Sequence, residues 1–584
     1  MTRISSAAPD SLGSQAAAGP AGDPWVGQPR ERLTLGCLLE DAVARFGPRE
    51  ALVFEDRRLR YAELGAEVRR LARGLVGAGV VKGARVAMLL PSSPEAVVSL
   101  FAVAAVGAVG VPLNTFAPIR ELSWILRHAD VSLLLMQPRL LGHAWLEDLL
   151  AAHPELGSAT PGRIRCPALP SLRRIFCLGL EAPRGAVEPW SELLAAGHSV
   201  PDALLEAIGQ EVLPTDDGLL IYTSGSTGTP KGVLHRQRAA AIQSYRFAEQ
   251  LRLTPEDRVW TAQPFFWTAG LCMSLGATLA AGACLLLQDH FEAGAALELM
   301  EQERATTAHA WAHQHKALGE HPSAGRRDLS SLSKLPPTSP LARIAGIQAD
   351  TWGPQGAYGL TETFTIAASI PSDAPAELRR STSGRALPGV EIRVVDPESG
   401  QPLAPGQAGE LAVRGVTLMC GYAKRLPEEV LDAAGFFRTG DGGWIDEEGY
   451  LYWTGRLGDL IKTGGANVSP QEIERALEGF EGLLAARAVG IPHPTLGEVV
   501  VLCAVPRAGD VPSEEALRQH LRQRLSSFKV PRCVLFFAAS ELELTGNQKI
   551  RLAPLRAAAL ARLEAEQRDI AGHRYGAAQP GDAR

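Results

Sequence analysis

The chain has 584 residues, of which 46% are hydrophobic, 21% charged and 6% aromatic. Lys and Arg total 58 against 64 Asp and Glu, a formal net charge of −6 that excludes both the basic excess of a nucleic-acid binder and the charge density of a disordered chain. At roughly 150 residues per domain, this length accommodates about two to four domains and a sizeable core.

Residues Met1 to Arg30 are rich in Ala, Gly, Ser and Pro and lack an apolar h-region, so residues 1–34 read as a disordered tail and not as a signal peptide. Apolar spacing then predicts helices over Leu39–Phe46 and Ala62–Ala78, a strand over Arg85–Leu90 closed by Pro91, a helix over Ala96–Val106 and a strand over Val109–Pro112. The run from Ala96 to Leu113 has only Ser99 as a polar residue. Its Ala, Val and Gly content within a strand–helix–strand pattern predicts a buried helix running into a buried strand, with no transmembrane segment. Strands over Val131–Met136, Arg174–Cys177, Gly218–Tyr222 and Ala283–Leu287 continue a βαβ pattern and a mainly parallel sheet. Pro and Ser mark long loops at residues 161–170 and 322–340.

From about Gly384 the pattern changes to short alternating strands over Val390–Val395, Gly409–Val413 and Tyr450–Trp453, which predict a β-barrel-like subdomain. Beyond Arg456–Asp459 lie helices over Pro470–Glu478 and Ser513–Leu525 and strands over Leu484–Ile491, Val499–Pro506 and Val534–Phe537. A helix over Leu552–Gln567 follows. The expected fold is α/β: a large N-terminal domain (35–455) of βαβ subdomains plus the barrel-like part, a hinge (456–460), a small C-terminal α+β domain (461–570) and a tail (571–584). The eight cysteines are scattered, without a C-x-x-C pair or zinc-ligand spacing, which predicts free thiols and a cytoplasmic protein.

The most informative segment is Tyr222-Thr-Ser-Gly-Ser-Thr-Gly-Thr-Pro-Lys-Gly232. A Gly/Ser/Thr loop between a strand and the helical Gln237–Glu249 offers N–H groups and hydroxyls to phosphate oxygens, and Lys231 adds a point charge. It is not a Walker A loop, because Pro230 and Gly232 stand where that pattern needs Gly and Ser or Thr.

This segment resembles the phosphate loop of the AMP-forming adenylate-forming superfamily: acyl- and aryl-CoA synthetases, peptide-synthetase adenylation domains and firefly-type luciferases. Further segments follow in that superfamily's order. They are Tyr358-Gly-Leu-Thr-Glu362, Gly409-Glu-Leu-Ala-Val-Arg-Gly415 with Gly421-Tyr422, Phe437-Arg-Thr-Gly-Asp441, Thr454-Gly-Arg-Leu-Gly-Asp-Leu-Ile-Lys-Thr-Gly-Gly465, Phe528-Lys-Val-Pro-Arg532 and Thr545-Gly-Asn-Gln-Lys549.

The resemblance implies a mobile C-terminal lid and a two-step reaction with ATP, Mg²⁺ and coenzyme A. A carboxylate attacks the α-phosphate to give an acyl-adenylate, and a thiol then displaces AMP. It further implies that Thr223, Ser224, Gly225, Ser226, Thr227, Gly228 and Lys231 cradle the phosphates. Thr361 would contact the α-phosphate, Glu362 would bind the metal, and Tyr358 would stack on adenine. Asp441 and Arg456 would hold the ribose, and Lys549 would serve adenylation. Lys462, Gly464 and Gly465 would line the pantetheine channel.

Pro264-Phe-Phe-Trp-Thr-Ala-Gly270 resembles the acyl-pocket motif, so Phe266, Trp267 and Gly270 are candidate pocket residues, with Trp267 where many relatives carry His. No Asp follows the Phe265-Phe266 pair, which favours a fatty, aryl or alicyclic acid over an amino acid. Three positions depart from the pattern: Gly458 at the hinge, Gln548 before the final lysine, and Ser333–Leu341, which lacks the glycine pair of the usual adenine loop. The expected function is an acid–CoA ligase with a small carboxylic acid and CoA as partners. The alternatives are an enzyme that loads an acyl-carrier protein, a luciferase-like oxygenase and a catalytically silent ATP- or acyl-binding protein.

Overall fold

In the computed structural model, residues 32–576 are described apart from 141, 224–229, 354–355, 460, 464–465, 508, 510, 526–528 and 545–549. The expected N-terminal tail therefore lies outside the described residues except at its end, where Leu33 is buried and Thr34 caps the helix Leu35–Phe46 by accepting from the Cys37 N–H at 3.1 Å. The expected C-terminal tail also begins too early. Asp569–Ile570 pairs with His573–Arg574, and the buried Tyr575 donates its hydroxyl to the Pro492 carbonyl at 2.9 Å.

Eight strands form the central sheet, in the order Gly421–Tyr422, Lys231–Arg236, Asp217–Thr223, Val109–Pro112, Arg85–Leu89, Leu133–Met136, Arg174–Cys177, Val187–Pro189. The six from Asp217–Thr223 onward run parallel, as the alternating strand and helix pattern requires. Both faces are covered, so these strands read as unbroken apolar runs. Val86 and Met88 enter one core while Ala87 and Leu89 enter the other, and Leu133 and Leu135 likewise oppose Leu134 and Met136. Each such Val, Leu or Met stabilises the fold by about 1.5–3 kcal/mol relative to exposure.

The apolar run at 96–113 is a core element. Ser93 caps the helix Pro94–Ala105, every residue from Ala96 to Ala104 is buried, and the chain continues into the buried strand Val109–Pro112. Among the described residues no helix is long and apolar enough to cross a membrane.

One expectation fails at the phosphate loop. Lys231–Arg236 is a strand antiparallel to Asp217–Thr223, with Thr223 opposite Lys231, so the loop joins two strands and the helix Gln237–Gln250 begins only after the second. The Val-Leu-His-Arg run after Gly232 continues the sheet. The loop therefore has no helix N-terminus directly behind it.

A second sheet of five strands orders as Thr307–His309, Arg258–Thr261, Cys284–Leu287, Glu50–Phe54, Arg57–Arg60. The barrel-like region is a four-stranded antiparallel sheet of Val390–Val395, Gly409–Gly415, Phe437–Ile445 and Leu451–Arg456. An Arg385–Tyr450 bridge links it to a three-stranded sheet that contains Ala357–Tyr358. Beyond the short turn Leu457–Asp459, the C-terminal part is built on the long hairpin of Leu483–His493 and Gly497–Pro506. The helices Glu514–Arg522 and Leu552–Ala565 pack on it. All eight cysteines are free thiols, as expected.

Candidate active site

Asp441 lies on Phe437–Ile445 and pairs in register with Arg456 of the neighbouring strand. The ladder shifts at Gly442 and Gly443, where a Cβ on Gly443 would stand 2.8 Å from the Tyr452 carbonyl, so the chain needs glycine to turn the strand here. Asp441 is 2% exposed. Its Oδ2 accepts the Tyr358 hydroxyl at 2.9 Å, while Oδ1 lies 3.0 Å from Arg456 Nε without hydrogen-bond alignment and has no donor. Arg456 instead donates to the Thr439 carbonyl at 2.8 Å. Burial pushes the Asp441 carboxyl above the usual carboxylate range and the Arg456 guanidinium opposes the shift.

Tyr358, Asp441, Trp453 and Arg456 line a cavity of about 520 Å³ together with Gln471 and Ile550 from the C-terminal part. Trp453 Nε1 is buried too, and its N–H faces the Asp441 carboxylate without full hydrogen-bond alignment. A buried carboxylate oxygen without an aligned donor, at the wall of a cavity, suits a ligand that brings hydroxyls, as a nucleoside does.

The turn after Tyr358 is tightly specified. A Cβ on Gly359 would stand 2.0 Å from the Thr365 carbonyl, and Phe364 and Thr365 sit at φ +51° and +89°. For a β-branched residue that is strained backbone. Buried polar side chains over-determine it. His235 Nε2 donates to the Thr361 carbonyl at 2.8 Å, and Gln243 donates to the carbonyls of Thr363 at 3.0 Å and Ile366 at 2.6 Å. Burial holds the His235 imidazole down at about 3, so it is neutral.

Thr361 and Glu362 stand on this turn, and Glu362 Oε1 accepts the Tyr422 hydroxyl at 2.7 Å. Lys231 Nζ lies 5.3 Å from the centre of the same Tyr422 ring. The turn thus brings the candidate metal carboxylate and the candidate phosphate lysine to one aromatic side chain. No group of three or more His, Cys, Asp or Glu among the described residues could cage a metal. One hard carboxylate with an oxygen to spare fits Mg²⁺, which usually keeps waters and takes its other ligands from substrate phosphates.

Phe265, Phe266 and Trp267 line a separate cavity of about 320 Å³ with Phe116, Phe291 and Trp311. Edge-to-face contacts run from Phe116 to Phe266 at 5.7 Å, to Trp267 at 4.8 Å and to Trp311 at 5.9 Å. Gly270 is not part of this wall. It stands in the π-helix Ala269–Gly276, where a Cβ would be 2.1 Å from the Pro264 carbonyl, so its role is close packing. Asp289 also lines the cavity, in a 2.6 Å contact with His290.

The Ser333–Leu341 stretch is pinned by Lys334, whose ammonium reaches Asp257 Oδ2 and the Arg252 carbonyl, each at 2.5 Å. Thr223 ends its strand opposite Lys231. Lys462 is exposed, and its backbone N–H donates to Glu498 Oε2 at 2.9 Å. Ser224, Gly225, Ser226, Thr227, Gly228, Gly464, Gly465 and Lys549 lie outside the described residues. Sequence reasoning assigned no role to His235, Gln243, Tyr422 or Trp453. His235 stands in the Val-Leu-His-Arg run of the strand Lys231–Arg236, and no local sequence signal singles it out.

The family model described as AMP-binding enzyme matches residues 39–423, and that of the AMP-binding enzyme C-terminal domain matches 472–549. A feruloyl-CoA synthase of Amycolatopsis sp is 34% identical over 84% of this chain and 92% of its own. An indoleacetate–CoA ligase of Aromatoleum aromaticum is 32% identical over 86% of this chain and 93% of its own. The crystal structure of ATP-bound MatB from Rhodopseudomonas palustris superposes with a TM-score of 0.70 at 27% identity, covering 90% of this chain and 99% of that one. With both family models matched in chain order and relatives at 30% identity or more covered over most of their length, the chain belongs to the AMP-binding enzyme family, as an acid–thiol ligase that uses ATP, Mg²⁺ and coenzyme A.

Proposed function

We propose that this acid–CoA ligase activates an apolar carboxylic acid carrying a ring, aryl or alicyclic, in preference to a linear fatty acid. The observation that carries the reading is the cavity of about 320 Å³ walled by six aromatic side chains, whose flat faces match ring edges and faces better than a flexible chain. The feruloyl and indoleacetate ligases among the relatives act on ring acids by name, which supports the same class.

In the reaction a carboxylate oxygen bonds to the α-phosphorus as the bond to pyrophosphate breaks. The CoA sulfur then bonds to the acyl carbon as AMP leaves and the thiol proton is lost. The substrates supply both nucleophiles, so the protein's part is positioning and charge neutralisation. Asp441 Oδ1 would accept the ribose hydroxyls beside Arg456, while Tyr358 lies along the adenine. Thr223, Ser224, Gly225, Ser226, Thr227, Gly228 and Lys231 would hold the β- and γ-phosphates, with Thr361 at the α-phosphate. Glu362 would bind Mg²⁺, which when present draws charge from the phosphates.

Lys549 would approach for adenylation. Residues 456–460 would then swing the C-terminal part so that Lys462, Gly464 and Gly465 meet pantetheine. Free thiols throughout suit work in the cytoplasm.

The test is acid-dependent pyrophosphate release with Mg-ATP over fatty, aryl, alicyclic and amino acids, with and without CoA. Release with ring acids and a thioester only when CoA is added is the expected result. Equal or better turnover of linear acids overturns the substrate class. Release without thioester makes a carrier protein the acceptor, and no release from folded, ATP-binding protein removes the ligase reading.

A further inference from the structure

We propose that Tyr422 is a positioning residue that sets the Glu362 carboxylate and the Lys231 ammonium in register for a metal-bound triphosphate. The inference rests on the assignment of Glu362 to the metal. The phenol donates to Glu362 Oε1 at 2.7 Å, and so fixes the carboxylate rotamer and leaves Oε2 as the oxygen open to a cation. The ring lies 5.3 Å from Lys231 Nζ, within cation–π range, so one side chain orients both charges.

The backbone reinforces the arrangement. Tyr422 pairs with Val233, two residues along the strand from Lys231. The N–H groups of Cys420 and Ala423 donate to the carbonyls of Leu234 at 2.7 Å and Gly232 at 2.8 Å. The Met419 N–H donates to the Glu362 carbonyl at 2.8 Å. Residues 419–423 therefore clasp the lysine's strand and the carboxylate's turn with the same five-residue segment. A tyrosine present only to fill space would have no need of its hydroxyl.

The test compares Tyr422→Phe, which keeps the ring and its packing against Phe437, with Tyr422→Leu, which removes both contacts. Mn²⁺ binding in the presence of a non-hydrolysable ATP analogue is read by electron paramagnetic resonance, and metal-free analogue binding by calorimetry. Tyr422→Phe is expected to weaken Mn²⁺ binding by about ten- to a hundredfold, as loss of partners behind a metal ligand does, with metal-free binding unchanged. Tyr422→Leu is expected to weaken both. The double variant Tyr422→Phe with Glu362→Gln should bind Mn²⁺ no more weakly than Glu362→Gln alone, because the phenol acts through that carboxylate. Wild-type Mn²⁺ affinity in Tyr422→Phe alongside a weakened Glu362→Gln overturns the inference while the metal assignment stands. If Glu362→Gln also binds Mn²⁺ normally, the metal assignment falls and takes the inference with it.

Discussion

The Tyr358 hydroxyl donates to Asp441 Oδ2 at 2.9 Å and leaves Oδ1 of the same buried carboxylate without a hydrogen-bond donor. One oxygen is held by a hydrogen bond within the protein, and the other faces the Arg456 guanidinium without an aligned donor. The phenol's donation also favours the ionised carboxylate, against the burial that raises it. A carboxylate that accepts ribose hydroxyls must be ionised, so ATP affinity should fall on the acid side, starting above the ordinary carboxylate range. Tyr358→Phe should shift that acid limb to higher pH and weaken ATP binding a few-fold near neutrality, and Asp441→Asn should weaken it more and remove the limb. Binding titrations between pH 4.5 and 8 check both.

Two buried imidazoles give the fold itself a pH dependence. Burial holds His235 at about 3 and His309 at about 4, against an ordinary value of 6.5. Above 6.5 they are neutral in the folded and the unfolded chain and contribute nothing. Below it the unfolded chain takes up protons that the folded protein refuses, so stability drops as pH drops, by up to about 1.4 kcal/mol per unit for each group. Denaturant midpoints should therefore drop between pH 6.5 and 5, and His309→Gln should flatten the slope even where it lowers the plateau.

The lysine near the C-terminus and the glycine at the proposed hinge should separate the two half-reactions. Lys549→Ala should abolish acid-dependent pyrophosphate release and leave thiolysis of supplied acyl-adenylate largely intact. A Cβ at Gly458 would meet nothing within 4 Å. Gly458→Ala should therefore change stability by less than about 0.5 kcal/mol, whereas Gly458→Pro should slow thioester formation and spare adenylation. Separate assays of pyrophosphate and thioester distinguish the two steps.

Trp267 stands between Phe266 and Trp311 in the row of edge-to-face rings. Trp267→Ala should widen the cavity and shift preference toward bulkier acids by about tenfold in relative kcat/KM, of the order a changed apolar contact gives. An unchanged acid profile would remove Trp267 from the pocket wall.

The parallel core was legible because its strands are uniformly apolar. Val86–Leu89 and Leu133–Met136 have no polar face to confuse the period. Phe437–Ile445 was hidden by Gly440, Gly442 and Gly443, which lower strand propensity where the ladder bulges next to the buried Asp441. Lys231–Arg236 was missed because the Gly/Ser/Thr loop before it drew the reading toward a helix behind the phosphates. The candidate acids and lysine stood out through their motifs. Tyr422 and His235 act through partners more than a hundred residues away or on other strands, so nothing local in the chain announces what they do.

Asp441 belongs to the four-stranded sheet and Lys231 to the central sheet, and the chain leads from the central sheet's edge strand Gly421–Tyr422 through residues 423–436 into Phe437–Ile445. A nucleotide that reached from Asp441 to Lys231 would then brace one sheet against the other. Hydrogen exchange should accordingly slow most, on ATP binding, in residues 424–436, the stretch of chain that leaves one sheet for the other, and more than in the already rigid strands on either side.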